Sequence, residues 1–179
     1  MTVFILAGHS NQDSGAIGIG GRQENHETMK LRDAIVKHMP FGHPNIIDRD
    51  NENLQAVLRR IQTGSGSVVL DIHFNAAASA QATGVEVFVG DDAQGDDLLF
   101  AHDVLRTVVK HLGLKNRGVK TESESARKRL GVMREHGAVC LLEVCFITNE
   151  ADMAAYDAVY DNIAKDLAAV LVKHDNVAT

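Results

Sequence analysis

Three side chains able to move protons or bind a metal stand in or just beyond apolar runs. His9 follows T-V-F-I-L-A at residues 2–7, His73 lies in V-V-L-D-I-H-F at 68–74, and Glu143 lies in A-V-C-L-L-E-V-C-F-I-T-N at 138–149. Runs of this kind read as strands buried on both faces. An ionised carboxylate in such a strand is costly unless a cation or hydrogen-bond donors offset it. A structural ion pair is the plain explanation of Glu143. A catalytic carboxylate facing a metal or a cationic group is the other, and it needs partners elsewhere in the chain. Two histidines and carboxylates at one sheet edge suit catalytic zinc, for which two His and one Glu is a common ligand set that leaves a position for water. The third ligand should come from a nearby loop or helix start. Glu24 fits, at the head of the first long helical pattern, where the helix dipole also favours a carboxylate. Glu27, one turn further, competes with it. The remaining seven histidines lack a strand-end context, and this spacing is a weaker signal than an H-E-x-x-H helix.

The elements that must position these residues follow from periodicity. Residues 2–7 predict a first strand ending in the polar tripeptide Gly8-His9-Ser10, and residues 11–21, rich in Gly, Asp, Ser and Asn, predict a loop. No dinucleotide or P-loop glycine motif stands there. Leu31, Ile35 and Met39 give residues 24–38 one apolar helical face, closed by Pro40, Gly42 and Pro44. A short strand at 45–48 and a helix at 51–63 follow, the latter on Leu54, Val57, Leu58 and Ile61. Strands are expected at 68–74 and 84–89, with an acidic loop at 90–95 and a helix at 98–112. Residues 116–130 read as a polar, mobile segment, 130–133 as a short strand and 148–174 as a helix. Alternating strands and helices predict a single-domain α/β fold with a mostly parallel or mixed central sheet and helices on both faces. If the strands bearing His9, His73 and Glu143 are parallel, their C-terminal ends bring the three residues together.

Composition excludes some classes. The 179 residues are 45% hydrophobic and carry 18 basic against 24 acidic side chains, a net charge of −6. Nucleic-acid binding would need a basic patch, and the short cluster Arg127, Lys128 and Arg129 reads as a solvated face. No apolar run approaches the roughly 20 residues of a membrane span. The N-terminus lacks the basic region of a signal peptide. Cys140 and Cys145 stand five apart in one predicted strand, so their side chains are expected on opposite faces, buried and reduced.

Several segments together resemble a known family. They are G-H-S at 8–10, D-x-G-A-x-G at 13–18 followed by Glu24, I-H-F-N-A at 72–76, G-V-E-V-F at 84–88, R-G-V-K at 117–120, L-G-V-M-R at 130–134 and L-L-E-V-C-F-I-T-N at 141–149. Their order and spread over nearly the whole chain resemble the zinc-dependent N-acetylmuramoyl-L-alanine amidases, peptidoglycan hydrolases of bacteria and phages. The resemblance implies a twisted sheet flanked by helices, one Zn²⁺ per chain held by His9, Glu24 and His73, and Glu143 as the catalytic carboxylate. The chain departs from the family at Ser10-Asn11 and at Val144-Cys145, where glycines are frequent. Neither departure touches an implied ligand, so both bear on packing. The resemblance also implies that the catalytic domain uses the whole chain, with no separate wall-binding domain.

The implied reaction is hydrolysis of the amide between the lactyl group of N-acetylmuramic acid and L-alanine. Zinc chemistry supplies a water acidic enough to react near neutral pH, and Glu143 would take its proton and return it to the leaving amine. Asn75 is placed to orient a substrate amide, and Arg134 to meet a peptide carboxylate. The alternatives are a zinc peptidase cutting within the stem peptide and a non-catalytic peptidoglycan-binding module. The expected partner is peptidoglycan, with no nucleic acid and no membrane span, and the oligomeric state is open. Synthesis in the cytoplasm without a signal peptide is expected, with action on the wall after release through a holin or a dedicated export route.

Overall fold

The computed structural model describes residues 2–177, with side chains to Asp175. In chain order the elements are β1 Val3–Ala7, α1 Glu24–His38, β2 Asn45–Ile47, α2 Leu54–Arg60, β3 Val68–Asn75, β4 Val85–Val89, α3 Asp96–Leu112, β5 Asn116–Thr121, β6 Ala138–Phe146 and α4 Glu150–Val177. Short 3₁₀ turns occupy Ile19–Gly21, Glu122–Glu124 and Gly131–Arg134. The six strands form one mixed sheet in the order β2-β1-β3-β6-β4-β5. Neighbours pair in parallel except β4 with β6, which are antiparallel. The fold is therefore the α/β architecture that the sequence predicts.

Strand alternation divides the sheet into two faces. Val3, Ile5, Leu70, Ile72, Val87, Cys140 and Leu142 face one way, into a large core closed by α1, α3 and α4. Phe4, Leu6, Val69, Phe88, Val139 and Leu141 face the other, under Val57 and Ile61 of the α2 region and Val132. Helix ends follow local chemistry. α1 stops at Met39, whose extended backbone (ψ 142°) is the conformation favoured before Pro40. α3 stops at Gly113 in the left-handed region (φ 65°).

The structure differs from the sequence reading in four places. Residues 116–121, expected as loop, form β5. It is an edge strand with a polar sequence, which masks the usual strand signal. Residues 130–133, expected as strand, are instead extended Leu130 followed by the 3₁₀ turn Gly131–Arg134. α2 begins three residues later than expected, because the Asn53 side chain accepts from the Ala56 N–H at 3.0 Å and caps it there. The fourth difference concerns the cysteines. The β3–β6 register runs from His73↔Glu143 to Asn75↔Phe146, so β6 carries an extra residue at Val144-Cys145. That bulge resets the alternation, and Cys140 and Cys145 share the same core face, both fully buried as free thiols.

Candidate active site

The parallel strands β1, β3 and β6 lie side by side, and the site forms at their C-terminal ends. His9 follows β1 in the left-handed region, φ 71°, which is unusual for a non-glycine residue. Helix α1 holds the carbonyls on both sides of it. Thr28 Oγ1 donates to the Gly8 carbonyl at 2.8 Å, and Asn25 Nδ2 donates to the Ser10 carbonyl at 2.9 Å. Two glycines leave room for the rings. A Cβ on Gly8 would lie 2.4 Å from His73 Cε1, and one on Gly15 would lie 2.5 Å from His9 Cδ2 and 2.6 Å from Glu24 Oε2.

Glu24 opens α1 and sits between the two imidazoles. Its Oε1 is 3.0 Å from His73 Nδ1 and accepts from the Phe74 N–H at 3.1 Å. Its Oε2 is 3.1 Å from His9 Nε2 and accepts from the Ala16 N–H at 2.9 Å. Burial acts to raise the Glu24 carboxyl, but the hydrogen bonds from His73, His9 and Ala16 prevail and hold it well below the usual range. One donor atom from each of His9, Glu24 and His73 lies within 4.8 Å of the others. Glu27 is turned away and pairs with Arg22 at 2.9 Å, so the helix presents Glu24 and not its competitor to the histidines.

Each histidine has a second carboxylate behind it. His9 Nδ1 is 2.9 Å from Asp13 Oδ2, and Asp13 is itself fixed by the Gly15 N–H at 3.1 Å. His73 Nε2 is 3.5 Å from Asp71 Oδ2. Carboxylates so placed fix ring orientation and raise basicity. Burial works against the charged form of both rings, yet the surrounding carboxylates raise both pKa values.

Glu143 stands opposite His73 in the β3–β6 register and opposite Glu86 in the β4–β6 register. Its Oε2 is enclosed and has no hydrogen-bond partner among the described residues. Burial, only partly opposed by His73 and reinforced by Glu24, Glu86 and Asp71, pushes its pKa up to about 8. Glu86 is buried and fully engaged: Arg117 Nε donates to it at 2.9 Å, and Lys120 Nζ and the Asn75 amide donate as well. All these groups line one cleft of about 620 Å³.

The structure brings His9, Glu24, His73, Glu143 and Asn75 into this cleft, with the Asn75 amide committed to Glu86. Arg134 stands outside the cleft lining, paired with buried Glu122. Sequence reasoning left Asp13, Asp71, Glu86, Arg117 and Lys120 without roles. All but Asp71 fall inside the quoted motifs, and Asp71 immediately precedes one.

The described residues hold no helix long and apolar enough to cross a membrane. A family model described as N-acetylmuramoyl-L-alanine amidase matches residues 3–173. The chain is 28% identical over 183 residues to N-acetylmuramoyl-L-alanine amidase LytC of Bacillus subtilis (strain 168), covering 99% of this chain and 35% of that protein. A Clostridium perfringens (strain 13 / Type A) protein is 28% identical over 166 residues, covering 87% of this chain and 47% of that protein. The chain thus spans less than half the length of these two relatives. Among solved structures, the catalytic domain of CwlV from Bacillus (Paenibacillus) polymyxa var. colistinus superposes with a TM-score of 0.77 at 23% identity, covering 98% of each chain. AmiC2 of Nostoc punctiforme gives 0.76 at 22% identity, covering 97% of this chain and 96% of that one. These two likenesses establish the shared fold.

Proposed function

The chain belongs to the N-acetylmuramoyl-L-alanine amidase family, and from that premise we propose that it hydrolyses the amide joining the lactyl group of N-acetylmuramic acid to L-alanine in peptidoglycan. The observation that carries the proposal is the convergence of His9, Glu24 and His73 donor atoms beside the enclosed, unpartnered carboxylate of Glu143. Two imidazoles and one carboxylate are a zinc donor set. The carboxylates behind both rings give the outer support that such ligands need. These three residues would hold one Zn²⁺ per chain. When bound, zinc supplies Lewis acidity and brings the pKa of water towards 7.

The remaining chemistry belongs to the chain. Glu143 takes a proton from the attacking water as its oxygen adds to the lactyl carbonyl carbon. The carbon–nitrogen bond then breaks, and Glu143 delivers that proton to the departing L-alanine nitrogen, so the atoms balance. The enclosed Glu143 Oε2, which no protein donor occupies among the described residues, is free to hold the proton between the two steps. Asp13 and Asp71 keep His9 and His73 oriented, and Asn75 and Glu86 fix the wall beside Glu143. The substrate is the wall polymer, so the protein acts at the cell wall, as a bacteriolytic endolysin-like enzyme or a wall hydrolase.

The test is the identity of the bond cut. Incubation with purified peptidoglycan should release amino groups identified by end-group labelling as L-Ala, with no new reducing sugar ends. New D-amino-acid termini or free D-Ala would assign the enzyme to the peptidases instead.

A further inference from the structure

The two walls of the cleft differ in how far their charges are paired. On the β1–β2 side it is lined by Asp13, Asp48 and Glu52, which are taken up by His9, Arg32 and Arg60. On the β4–β5 side and the segment after it, Arg117, Lys120, Arg127 and Arg129 face Glu86 and Glu124, a surplus of two positive charges in a chain whose net charge is −6. Arg117 and Lys120 are spent on Glu86. Glu124 turns back to accept from the Thr121 N–H at 2.9 Å. Arg127 and Arg129 are exposed and have no ion-pair or hydrogen-bond partner among the described residues.

The segment that carries these two arginines is built rather than loose. Buried Glu122 closes its base, accepting from the Leu130 N–H at 2.7 Å and from Arg134. Ser125 Oγ donates to the Glu122 carbonyl at 2.7 Å and accepts from the Lys128 N–H at 3.1 Å. Lys128 lies in the left-handed region, φ 61°, without being a glycine, a strained turn that surrounding contacts must hold. Its Nζ folds back onto the Ser123 carbonyl at 3.0 Å. The middle cation of the triplet Arg127-Lys128-Arg129 is thus used to shape the turn, and the two outer ones line the cleft.

Resting on the amidase reading, we propose that Arg127 and Arg129 read a free carboxylate on the stem peptide beyond the scissile amide, making the enzyme selective for substrates that are anionic there. Guanidinium groups suit carboxylates because their forked donors match both oxygens. Arg134, the arginine that the sequence offered for this role, is committed to Glu122 and leaves it to Arg127 and Arg129.

The experiment compares two muramoyl dipeptides that differ by one carboxylate, N-acetylmuramoyl-L-Ala-D-Glu and its amidated form ending in D-isoglutamine. Binding of each is measured by calorimetry to zinc-loaded Glu143→Gln protein, so no turnover is needed. The expected result is about tenfold tighter binding of the more acidic ligand, the lower end for charged hydrogen bonds because both arginines are exposed. Adding Arg127→Gln with Arg129→Gln should abolish the preference, and adding Arg127→Lys with Arg129→Lys should keep part of it. Equal binding of the two ligands, or a preference that survives the double glutamine change, overturns the proposal. Cleavage by the unmodified protein is assayed separately. Release of the peptide with a new L-Ala amino terminus but without charge preference removes this inference and leaves the amidase reading standing. A charge preference without release of that peptide does the opposite.

Discussion

The two faces of the sheet are made by the same strands and yet obey different rules. Leu142 and Glu143 are consecutive residues of β6. Leu142 is fully buried against the helices α1, α3 and α4, and Glu143 points to the other face. That second face is itself divided. Towards the start of the strands it is apolar, with Phe4, Val69 and Val139 under the α2 region. Towards the ends of β3 and β6 it carries Asp71, His73 and Glu143, with Glu86 beside Glu143 from the start of the antiparallel β4. The three-helix face can be continuous because it only packs. The other face must be left open at the C-terminal edge of the parallel strands, where ligand sites form in open α/β sheets. A carboxylate row there has a cost in folding, and Glu143, with its enclosed oxygen, shows that cost most clearly.

The sharpest way to break this contrast is to exchange the neighbours' roles. Glu143→Gln keeps the shape and removes the proton carrier, so turnover should fall about 10²–10⁴-fold. The variant should take up zinc as the parent does, since the proposed donor atoms belong to His9, Glu24 and His73. Its stability should change by less than about 1 kcal/mol or improve, because burial, with Glu24, Glu86 and Asp71 nearby, already disfavours charge on this carboxyl and a neutral amide of the same shape replaces it. Melting temperature, zinc content and turnover on one preparation decide it. Normal turnover per zinc-loaded molecule would remove Glu143 from the chemistry.

Leu142→Ala, one residue earlier, should behave in the opposite sense. It opens a cavity in the main core and should cost about 2–5 kcal/mol in denaturant unfolding, while the folded fraction keeps near-normal turnover. If folded, zinc-loaded Leu142→Ala lost activity as deeply as Glu143→Gln, the division of labour between the faces would fail.

The same contrast explains what could be read in advance. Strand cores and α1 were legible because Val3–Ala7, Val68–Asn75 and the 24–38 helix are periodic and bounded by Gly or Pro. The grouping of His9, Glu24 and His73 with Glu143 was legible because they are polar residues where an apolar strand ends or a helix begins. β5 was not, since Arg117 and Lys120 serve Glu86 and make an edge strand look like loop. The β6 bulge was invisible because an inserted residue leaves no mark in an apolar run, and it moved Cys145 to the face of Cys140. Asp13 and Asp71 act through histidines, and only coordinates reveal such pairing.

The smallest effect expected lies on the packing face, at the seam of α3 and α4, and it tests whether charge there is structural only. Asp103 of α3 accepts from Lys173 Nζ at 2.6 Å and lies 2.9 Å from His174 Nε2, with Arg106 paired beside it. Burial acts to raise its carboxyl, but Lys173, His174 and Arg106 prevail and hold it well below the ordinary 3.8. A carboxyl depressed on folding contributes stability that is fully present above its unfolded pKa and is lost as pH falls through the folded one. Asp103→Asn should therefore cost about 1 kcal/mol at pH 7, discounted for partial solvent exposure. The gap between variant and parent should hold from pH 7 down to about pH 4 and shrink below it. Urea unfolding of both proteins at a series of pH values measures it. A gap that stayed constant into acid would mean the amide loses packing and not charge. Turnover should be unaffected throughout, because no residue of this seam reaches the cleft. A change in turnover at constant stability would show that the helical face does more than pack.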